Sequence, residues 1–296
     1  MNLKQCQVFV QAVRAGSFTK AASQLGCSQA AVSQAVGGLE AELGLRLLHR
    51  SRSVLRLTAA GELLLPELEA MLSRQRAVLE LAEGLRGGER GTVVVASFSS
   101  VAVHWLPDIF KAFGEKHPGV SLRLNTGDYH DVAQWLSEGT AAVGFVTLPY
   151  PEGDCVPLYE DRLLAVLPAD HPLAGGDCFP VEKAAGEPFL SLPASSDQDA
   201  RVYLEANGVQ PDIRLSTKDD YTLVAMVASG LGMSIMPELL LKGEHPGVRL
   251  LELRPRASRT IALALSEEGK TSPAAAAFAA FAQSWVRQFA GRGQTT

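Results

Sequence analysis

The sequence predicts a multidomain α/β protein: an N-terminal winged helix-turn-helix at residues 1–58, a linker helix and hinge at 59–90, and an α/β domain at 91–296. Three observations predict this organisation. The chain of 296 residues is longer than one typical domain. Its first part contains two short helical patterns separated by a glycine. From Thr92 onward, strand patterns alternate with helical patterns.

The helix-turn-helix pattern follows an amphipathic helix predicted at Leu3–Ala15. Phe18–Leu25 forms a second short helix, and Gly26 stands where the chain must turn sharply, a position that favours a residue without a Cβ. Ser28 is a suitable N-cap for a third helix because its hydroxyl can accept a free backbone N–H. This third helix presents side chains that can hydrogen-bond to base edges and an alanine that can touch a thymine methyl: Gln29, Ala30, Ser33 and Gln34.

A short hairpin, or wing, is predicted next, with strands at Leu47–Arg50 and Val54–Leu57. Arginines surround it, and guanidinium groups suit phosphate oxygens, which position a protein on DNA without reading its sequence. These arginines are Arg46, Arg50, Arg52 and Arg56. The phosphate-binding candidates are Thr19, Lys20, Arg50 and Arg52, and Ser28 completes the predicted DNA-binding set.

The run SFTKAASQLGCSQAAVSQAVGGLEAELGLRLLHR, followed by LTAAG, resembles the N-terminal domain of LysR-type transcriptional regulators. The resemblance is strong over roughly the first 90 residues and weaker over the remainder. Ala30 stands where the family often has proline, and Gln34 where it often has arginine or lysine. Gly37 and Gly38 replace the usual helix formers, and each costs roughly 1 kcal/mol against alanine in a helix interior. The two glycines therefore count against a long third helix.

Charge is divided unevenly along the chain. Residues 1–58 carry seven Lys or Arg and two acidic residues, a net charge of +5, whereas the whole chain carries −5. The other residues therefore carry −10. This is the electrostatic pattern expected of a DNA-binding head attached to an acidic sensor domain.

A long helix is predicted from Thr58, which can cap it, to about Leu85. Its apolar positions have heptad spacing, which favours a partner helix from a second copy of the chain. Packing on its own domain is the alternative. Pro66 is expected to kink or shorten the first turns. A dimer would engage two half-sites of a near-palindromic DNA. The seam positions are Leu64, Leu68, Met71, Gln75, Val78, Ala82 and Leu85.

The glycines from Gly84 to Gly91 form the predicted hinge. The strand and helix alternation after them implies a parallel sheet with right-handed crossovers. Helices are predicted at Val101–Lys116, Asp131–Glu138, Gln198–Asn207, Tyr221–Ser229 and Pro273–Phe289. Strands are predicted at Thr92–Ala96, Ser121–Thr126, Ala141–Thr147, Leu163–Pro168, Pro188–Leu192, Ile213–Ser216, Met233–Met236, Val248–Leu253 and Thr260–Ser266.

The segments VLPADHPLA and GLGMSIMP resemble stretches of the effector-binding half of LysR-type regulators. That half is built like a periplasmic binding protein, from two α/β lobes. The resemblance implies that lobe I covers about 91–160 and 268–296, and lobe II about 161–267. The chain would cross between the lobes near Tyr159–Arg162 and again near Ser266–Gly269.

Ligands of such sheets bind at the carboxyl ends of strands, near helix N-termini. Serine and threonine hydroxyls follow three predicted strand ends and suit an anion such as a carboxylate, although Asp197 would oppose one. For each residue, N-capping alone is the alternative interpretation. The resemblance implies that a small-molecule effector of unknown identity binds among Ser97, Ser99, Ser100, Thr126, Gly127, Thr147, Ser195, Ser196 and Asp197, with Thr222 as a weaker candidate.

Three other functions compete with this interpretation. An enzyme is disfavoured because the sequence has no HExxH, GxSxG or P-loop pattern, and neither a cofactor nor a metal site is expected. A redox-sensing regulator using Cys155 and Cys178 is disfavoured because neighbouring acidic residues oppose a thiolate. A solute-binding protein without a DNA role leaves the N-terminal region unexplained, and the N-terminus does not resemble a signal peptide.

No stretch approaches the roughly 18 apolar residues of a membrane-spanning helix. The four cysteines show no metal-ligand spacing. We therefore expect a cytoplasmic protein with reduced thiols that does not contact a membrane. The resemblance implies a homodimer, or a homotetramer built from two dimers, with double-stranded DNA, the effector and RNA polymerase as further partners.

Overall fold

The computed structural model describes residues 1–49, 55–85, 91–151, 153–193 and 198–293. They form two compact units: the first comprises the residues before 86–90 together with Glu138–Thr140, and the second comprises the rest. Each unit has its own hydrophobic core. The N-terminal unit contains α1 (Leu3–Ala15), α2 (Phe18–Leu25), α3 (Gln29–Leu43), β1 (Leu48–His49), β2 (Arg56–Leu57) and α4 (Ala59–Leu85).

The turn between α2 and α3 has the predicted geometry. Gly26 is left-handed, with φ 64°, a conformation that a residue with a Cβ rarely adopts. The Ser28 Oγ accepts the Ala31 N–H at 3.1 Å, which confirms the predicted N-cap. Val32 and Leu39 are fully buried against α1 and α2, so the opposite side of α3 faces solvent.

Helix α3 continues through Gly37 and Gly38 to Leu43, so the expectation that the glycines would limit its length was wrong. A Cβ at Gly38 would lie 2.7 Å from the Gln5 Nε2 of α1. At Gly37, no atom lies within 4 Å of such a Cβ. The Gln5 side chain of α1 therefore lies close to Gly38, and tertiary packing outweighs the low helix propensity of both glycines. Nothing in the structure explains Gly37.

The wing is short within the described residues. β1 pairs antiparallel with β2, with Leu48 opposite Leu57 and His49 opposite Arg56. The predicted strand ends Arg50 and Val54 lie outside the described residues.

Helix α4 runs unbroken through Pro66, so the expectation that this proline would shorten it was wrong. The helix tolerates the lost hydrogen bond because Leu64 and Leu68, on the same turns, pack in the N-terminal core. Thr58 caps the helix as predicted, because its Oγ1 accepts the Gly61 N–H at 3.1 Å.

The heptad seam of α4 has two different halves. Leu68 is 5% exposed and packs with Leu64 and Met71 in the N-terminal core, which is the alternative of packing on its own domain. Farther along, Val78 is 65% exposed and Ala82 is also exposed. Among the seam side chains that the structure describes, those of the second half leave apolar surface uncovered in a single chain.

The C-terminal unit is an α/β structure that confirms the predicted fold class. Its elements are β3 (Gly91–Ser97), α5 (Ser99–His104), α6 (Leu106–Lys116), β4 (Val120–Thr126), α7 (Tyr129–Ser137), β5 (Val143–Thr147), β6 (Cys155–Pro168), β7 (Cys178–Pro180), a 3-10 helix (Val181–Gly186), β8 (Pro188–Ser191), α8 (Gln198–Ala206), β9 (Asp212–Ser216), α9 (Asp220–Ala228), β10 (Ser234–Pro237), β11 (Val248–Arg254), β12 (Ser258–Leu265), α10 (Glu267–Thr271) and α11 (Pro273–Gly293).

The helix predicted at Val101–Lys116 is in fact two helices that meet at Trp105. Pro107, in the first turn of α6, has no N–H to donate to the preceding turn, which ends α5 there. The break allows the fully buried Trp105 ring to pack edge-on against Phe145 and Tyr159.

The main sheet is mixed, so the prediction of a parallel sheet was wrong. β3 pairs in parallel with β4 and β5, but β12 pairs antiparallel with β5 and β6. β10 and β11 also pair antiparallel with β6. A helix between successive strands implies a parallel pair only where those strands are neighbours, and β6 lies beside strands from the far end of the chain.

Strand β6 connects the two lobes of this unit. Its first half, Cys155–Arg162, pairs with β12, and its second half, from Leu163 to Pro168, pairs with β10 and β11. Strand β12 also pairs with β5 and contributes Ile261 to the lobe I core. The sequence assigned residues up to 267 to lobe II. The return to lobe I instead falls earlier, between β11 and β12.

Candidate functional site

The exposed face of α3 carries the predicted base-reading residues. The structure places Gln29, Ala30, Ser33 and Gln34 together on the solvent side of the helix, opposite the buried Val32. The hydroxyl of Ser28 is already used as the N-cap. This face can offer side-chain amides and hydroxyls to a major groove, where such groups distinguish base pairs.

The predicted phosphate contacts are only partly described. Thr19 and Lys20 are exposed at the start of α2. Arg50 and Arg52 lie outside the described residues. Arg46 and Arg56 are exposed beside the short wing strands.

A buried glutamate on α3, missed by the sequence interpretation, fixes the start of the wing. Glu40 is 9% exposed, and its Oε1 accepts the N–H groups of Leu47 at 2.7 Å and Leu48 at 3.1 Å. Buried backbone N–H groups need such partners, so Glu40 ties the first wing strand to α3. The sequence gives one indication of this role: Glu40 is the first charged residue of α3, and it directly follows the buried Leu39.

A cavity of about 290 Å³ lies at the carboxyl ends of β3 and β4, between the two lobes. It is lined by four of the predicted effector-binding residues: Ser99, Ser100, Thr126 and Gly127. Phe98, Leu223, Met236 and Leu240 give it an apolar wall. The general location that the sequence indicated is therefore an actual cleft.

Three other predicted residues do not line this cavity. The fully buried Ser97 donates its hydroxyl hydrogen to the Phe98 carbonyl at 3.2 Å. Thr147 lies in the sheet opposite Ile261. The Thr222 N–H donates to the Asp219 carboxylate at 2.6 Å, so this segment serves as a helix cap. The remaining candidates, Ser195, Ser196 and Asp197, lie outside the described residues.

The polar centre of the cleft is Arg259, which the sequence interpretation missed. The residue is 6% exposed, and its Nε and Nη2 donate to the Asp161 Oδ2 at 3.0 and 2.7 Å. Nη2 also donates to the Ser100 Oγ at 2.8 Å. Nη1 donates to the Tyr129 hydroxyl and, at 3.5 Å, to Asp199. These residues come from five separate segments of the chain, so no local pattern could reveal the network.

Burial shifts the acidic groups around Arg259. Burial raises the pKa of Asp161, although the Arg259 charge opposes this shift. Burial also raises the pKa of Asp220, against a hydrogen bond from Ser99 and the charge of Arg259. The pKa of Tyr129 is raised, mainly by burial, so its hydroxyl stays protonated and donates to Asp199 at 2.5 Å. Asp161, Asp220 and Tyr129 are therefore partly desolvated in this cleft.

The proposed thiol pair is separated by the sheet. Cys178 on β7 lies opposite Glu252 on β11, which in turn lies opposite Leu164 on β6. Leu164 is nine residues along β6 from Cys155, or roughly 30 Å of strand. A disulfide requires Cα atoms less than about 7 Å apart, so these two cysteines cannot pair within one chain. Burial, and then the charge of Asp154, raise the pKa of the Cys155 thiol, which further disfavours a thiolate.

Among the described residues, no group of three or more His, Cys, Asp or Glu side chains is arranged to hold a metal ion. None of the helices in the described part of the chain is both long and apolar enough to cross a membrane.

The two units match two known families. Residues 3–62 match the family described as "Bacterial regulatory helix-turn-helix protein, lysR family". Residues 86–287 match the "LysR substrate binding domain". Together the two matches cover most of the chain.

Three similar proteins span almost the same length. The probable transcriptional regulator LrrA of Synechococcus elongatus is 34% identical over 283 residues, covering 94% of this chain and 95% of the relative. A full-length OxyR variant of Pseudomonas aeruginosa has a TM-score of 0.73 and 23% identity, covering 96% of this chain and 95% of that one. CbnR in complex with its target DNA has a TM-score of 0.69 and 23% identity, covering 96% and 100%. The two solved structures show a shared fold.

Proposed function

This chain belongs to the LysR family of DNA-binding transcriptional regulators, and we propose that a small molecule bound between the two lobes of its C-terminal unit controls it. One observation carries this proposal: a cavity of about 290 Å³ opens at the strand ends, where Ser99, Ser100, Thr126 and Gly127 surround it. Doubly wound sheets bind ligands at this place. We assign residues 1–58 to DNA binding, 59–90 to the linker and 91–296 to effector binding.

DNA reading is assigned to the exposed face of α3. Gln29, Ser33 and Gln34 would contact base edges and Ala30 a thymine methyl, because these side chains are exposed on one face. Phosphates would be contacted by Thr19, Lys20, Arg50 and Arg52. Ser28 would serve as the N-cap of α3. Because its proposed partner is double-stranded DNA, we place the protein in the cytoplasm.

A dimer through the second half of the α4 seam would bring two reading helices to a near-palindromic site. Val78 supports this assignment because it is 65% exposed at a heptad position. A tetramer of two dimers and a contact with RNA polymerase follow from the family resemblance.

The dimer assignment is tested by Val78→Asp in the full chain, measured by analytical ultracentrifugation. We expect the dimer dissociation constant to rise by at least about tenfold, since a charge would be buried in the seam. Leu63→Asp is the matched control, because Leu63 is 77% exposed on the same helix but off the seam. Equal effects of the two substitutions would contradict the assignment.

Effector control is tested with the full chain and double-stranded DNA selected from a random pool. Small acids, amines and aromatic compounds would be screened for a change in the footprint on that DNA. We expect a compound that changes the footprint of the wild-type chain and does so far less in Ser99→Ala. A footprint that responds equally in both chains would place the controlling site outside this cleft.

A further inference from the structure

The cleft carries more acidic than basic side chains. Among the described residues that line it, the basic ones are Lys218 and Arg259, and the acidic ones are Asp128, Asp131, Asp199 and Asp220. Asp161 lies beneath the cavity and neutralises Arg259. An organic anion entering this space would therefore meet a surplus of negative charge.

Arg259 has no donor left for a ligand. A guanidinium has five N–H donors. Nε and one Nη2 donor bind Asp161, and the other Nη2 donor binds Ser100. The Nη1 donors bind the Tyr129 hydroxyl and Asp199. A ligand carboxylate would have to displace one of these internal partners to bind Arg259, so this guanidinium is already occupied.

Asp220 has a different position from the other acids. Asp128 and Asp131 cap α7 by accepting each other's backbone N–H groups at 3.0 Å. At the start of α9, the cap is supplied by Asp219, which accepts the Thr222 N–H. Asp220 is therefore not needed as a cap, yet it lines the cavity. Burial raises its pKa, and Ser99 is its hydrogen-bonding partner. A partly desolvated carboxylate in this position gains most from a cationic ligand group.

We propose that the effector of this cleft carries a protonated amine, which pairs with the carboxylate of Asp220, with Asp199 nearby. This inference rests on the proposed function. The body of the ligand packs on the apolar wall formed by Phe98, Leu223 and Met236. A cavity of about 290 Å³ lies at the lower end of the range for small-molecule pockets, so the ligand is a compact aliphatic amine or amino acid.

The test uses three probes with the same five-carbon chain: cadaverine, 5-aminovalerate and glutarate. They carry two ammonium groups, one ammonium with one carboxylate, and two carboxylates. The melting temperature of the full chain is measured with each at millimolar concentration. We expect stabilisation by at least one ammonium-bearing probe and none by glutarate, because a ligand that binds only the folded state raises its stability.

The site is then tested by substitution. Asp220→Asn keeps the shape of the side chain and should weaken binding of the stabilising amine by at least about tenfold. Asp212→Asn is the matched control, because Asp212 lies on the exposed strand β9 and pairs with Arg214. It should leave the affinity unchanged. Equal affinity in wild type and Asp220→Asn would overturn the proposal.

The remaining outcomes separate this inference from the proposed function. Stabilisation by glutarate alone, lost in Ser99→Ala, would overturn the amine assignment and leave the cleft as the effector site. A stabilising probe that is unaffected by both Asp220→Asn and Ser99→Ala would overturn both, because its site lies elsewhere. Equal stabilisation by all three probes, or by none, would overturn the amine assignment.

Discussion

The exposed face of α3 and the cleft of the C-terminal unit both present polar side chains, but in opposite ways. On α3, Gln29 and Gln34 are exposed and project from a single helix. In the cleft, Arg259 and Asp161 are 6% and 1% exposed and satisfy each other. Exposed polar groups are available to a ligand at little cost, whereas a buried network is primarily structural. Substitutions on α3 should therefore change binding, and substitutions at the centre of the cleft should first change stability.

The largest expected effect tests the structural role of the cleft network. Arg259→Met should lower the free energy of unfolding by about 3–5 kcal/mol, because it leaves the carboxylate of Asp161 buried without its partner. Urea unfolding of the full chain would measure this. Arg256→Met is the control: its side chain is 83% exposed and pairs with Glu252 at the surface. It should stay within about 0.5 kcal/mol of the wild type. Similar losses from both substitutions would remove the distinction between the buried network and the surface.

A smaller loss is expected at Glu40, the one buried carboxylate on α3 within the described residues. Glu40→Ala leaves the N–H groups of Leu47 and Leu48 without their acceptor, at a cost of about 2–4 kcal/mol in the stability of the N-terminal unit. Glu40→Gln keeps an acceptor oxygen in place and should lose clearly less. Thermal unfolding of both variants measures the difference. If the two lost the same stability, the charge of Glu40 and not its hydrogen bonds would matter.

The smallest effect is a gain. Gly37→Ala should stabilise the chain by about 0.5–1 kcal/mol, because alanine restricts the unfolded state and its Cβ meets no atom within 4 Å. Gly38→Ala should raise the free energy of unfolding by less, because its Cβ must displace the Gln5 amide, 2.7 Å away. Chemical unfolding of the two variants compares them directly. An equal gain in stability at Gly38 would mean that the Gln5 amide moves without cost.

The same contrast explains how far the sequence could predict this molecule. The α3 face, the Ser28 and Thr58 caps and the turn at Gly26 depend on residues a few positions apart, and the sequence predicted each of them. The location of the cleft also followed, because serines near strand ends are a local pattern. The polar centre of the cleft could not be predicted, because Arg259 hydrogen-bonds to Ser100, which is 159 positions away in the sequence.

The errors have the same origin. The mixed sheet and the early return to lobe I both depend on β6 pairing with strands from the far end of the chain. The sequence disfavoured a redox role for Cys155 and Cys178 on neighbouring charge alone, because only strand register reveals how far apart they lie. The pairing of strands that are distant in sequence therefore could not be predicted from this single sequence.

The central claim is that the exposed face of α3 reads bases while α2 holds phosphates. We would measure it by fluorescence anisotropy of the full chain on DNA selected from a random pool and on its single base-pair variants, across a range of salt. Gln29→Ala should lose discrimination of about 1–3 kcal/mol at one base pair with an unchanged salt slope. Lys20→Ala should weaken binding to all DNA sequences alike. It should also lower the slope of log affinity against log salt concentration by about one. Uniform weakening by Gln29→Ala, with discrimination intact at every position, would contradict the claim.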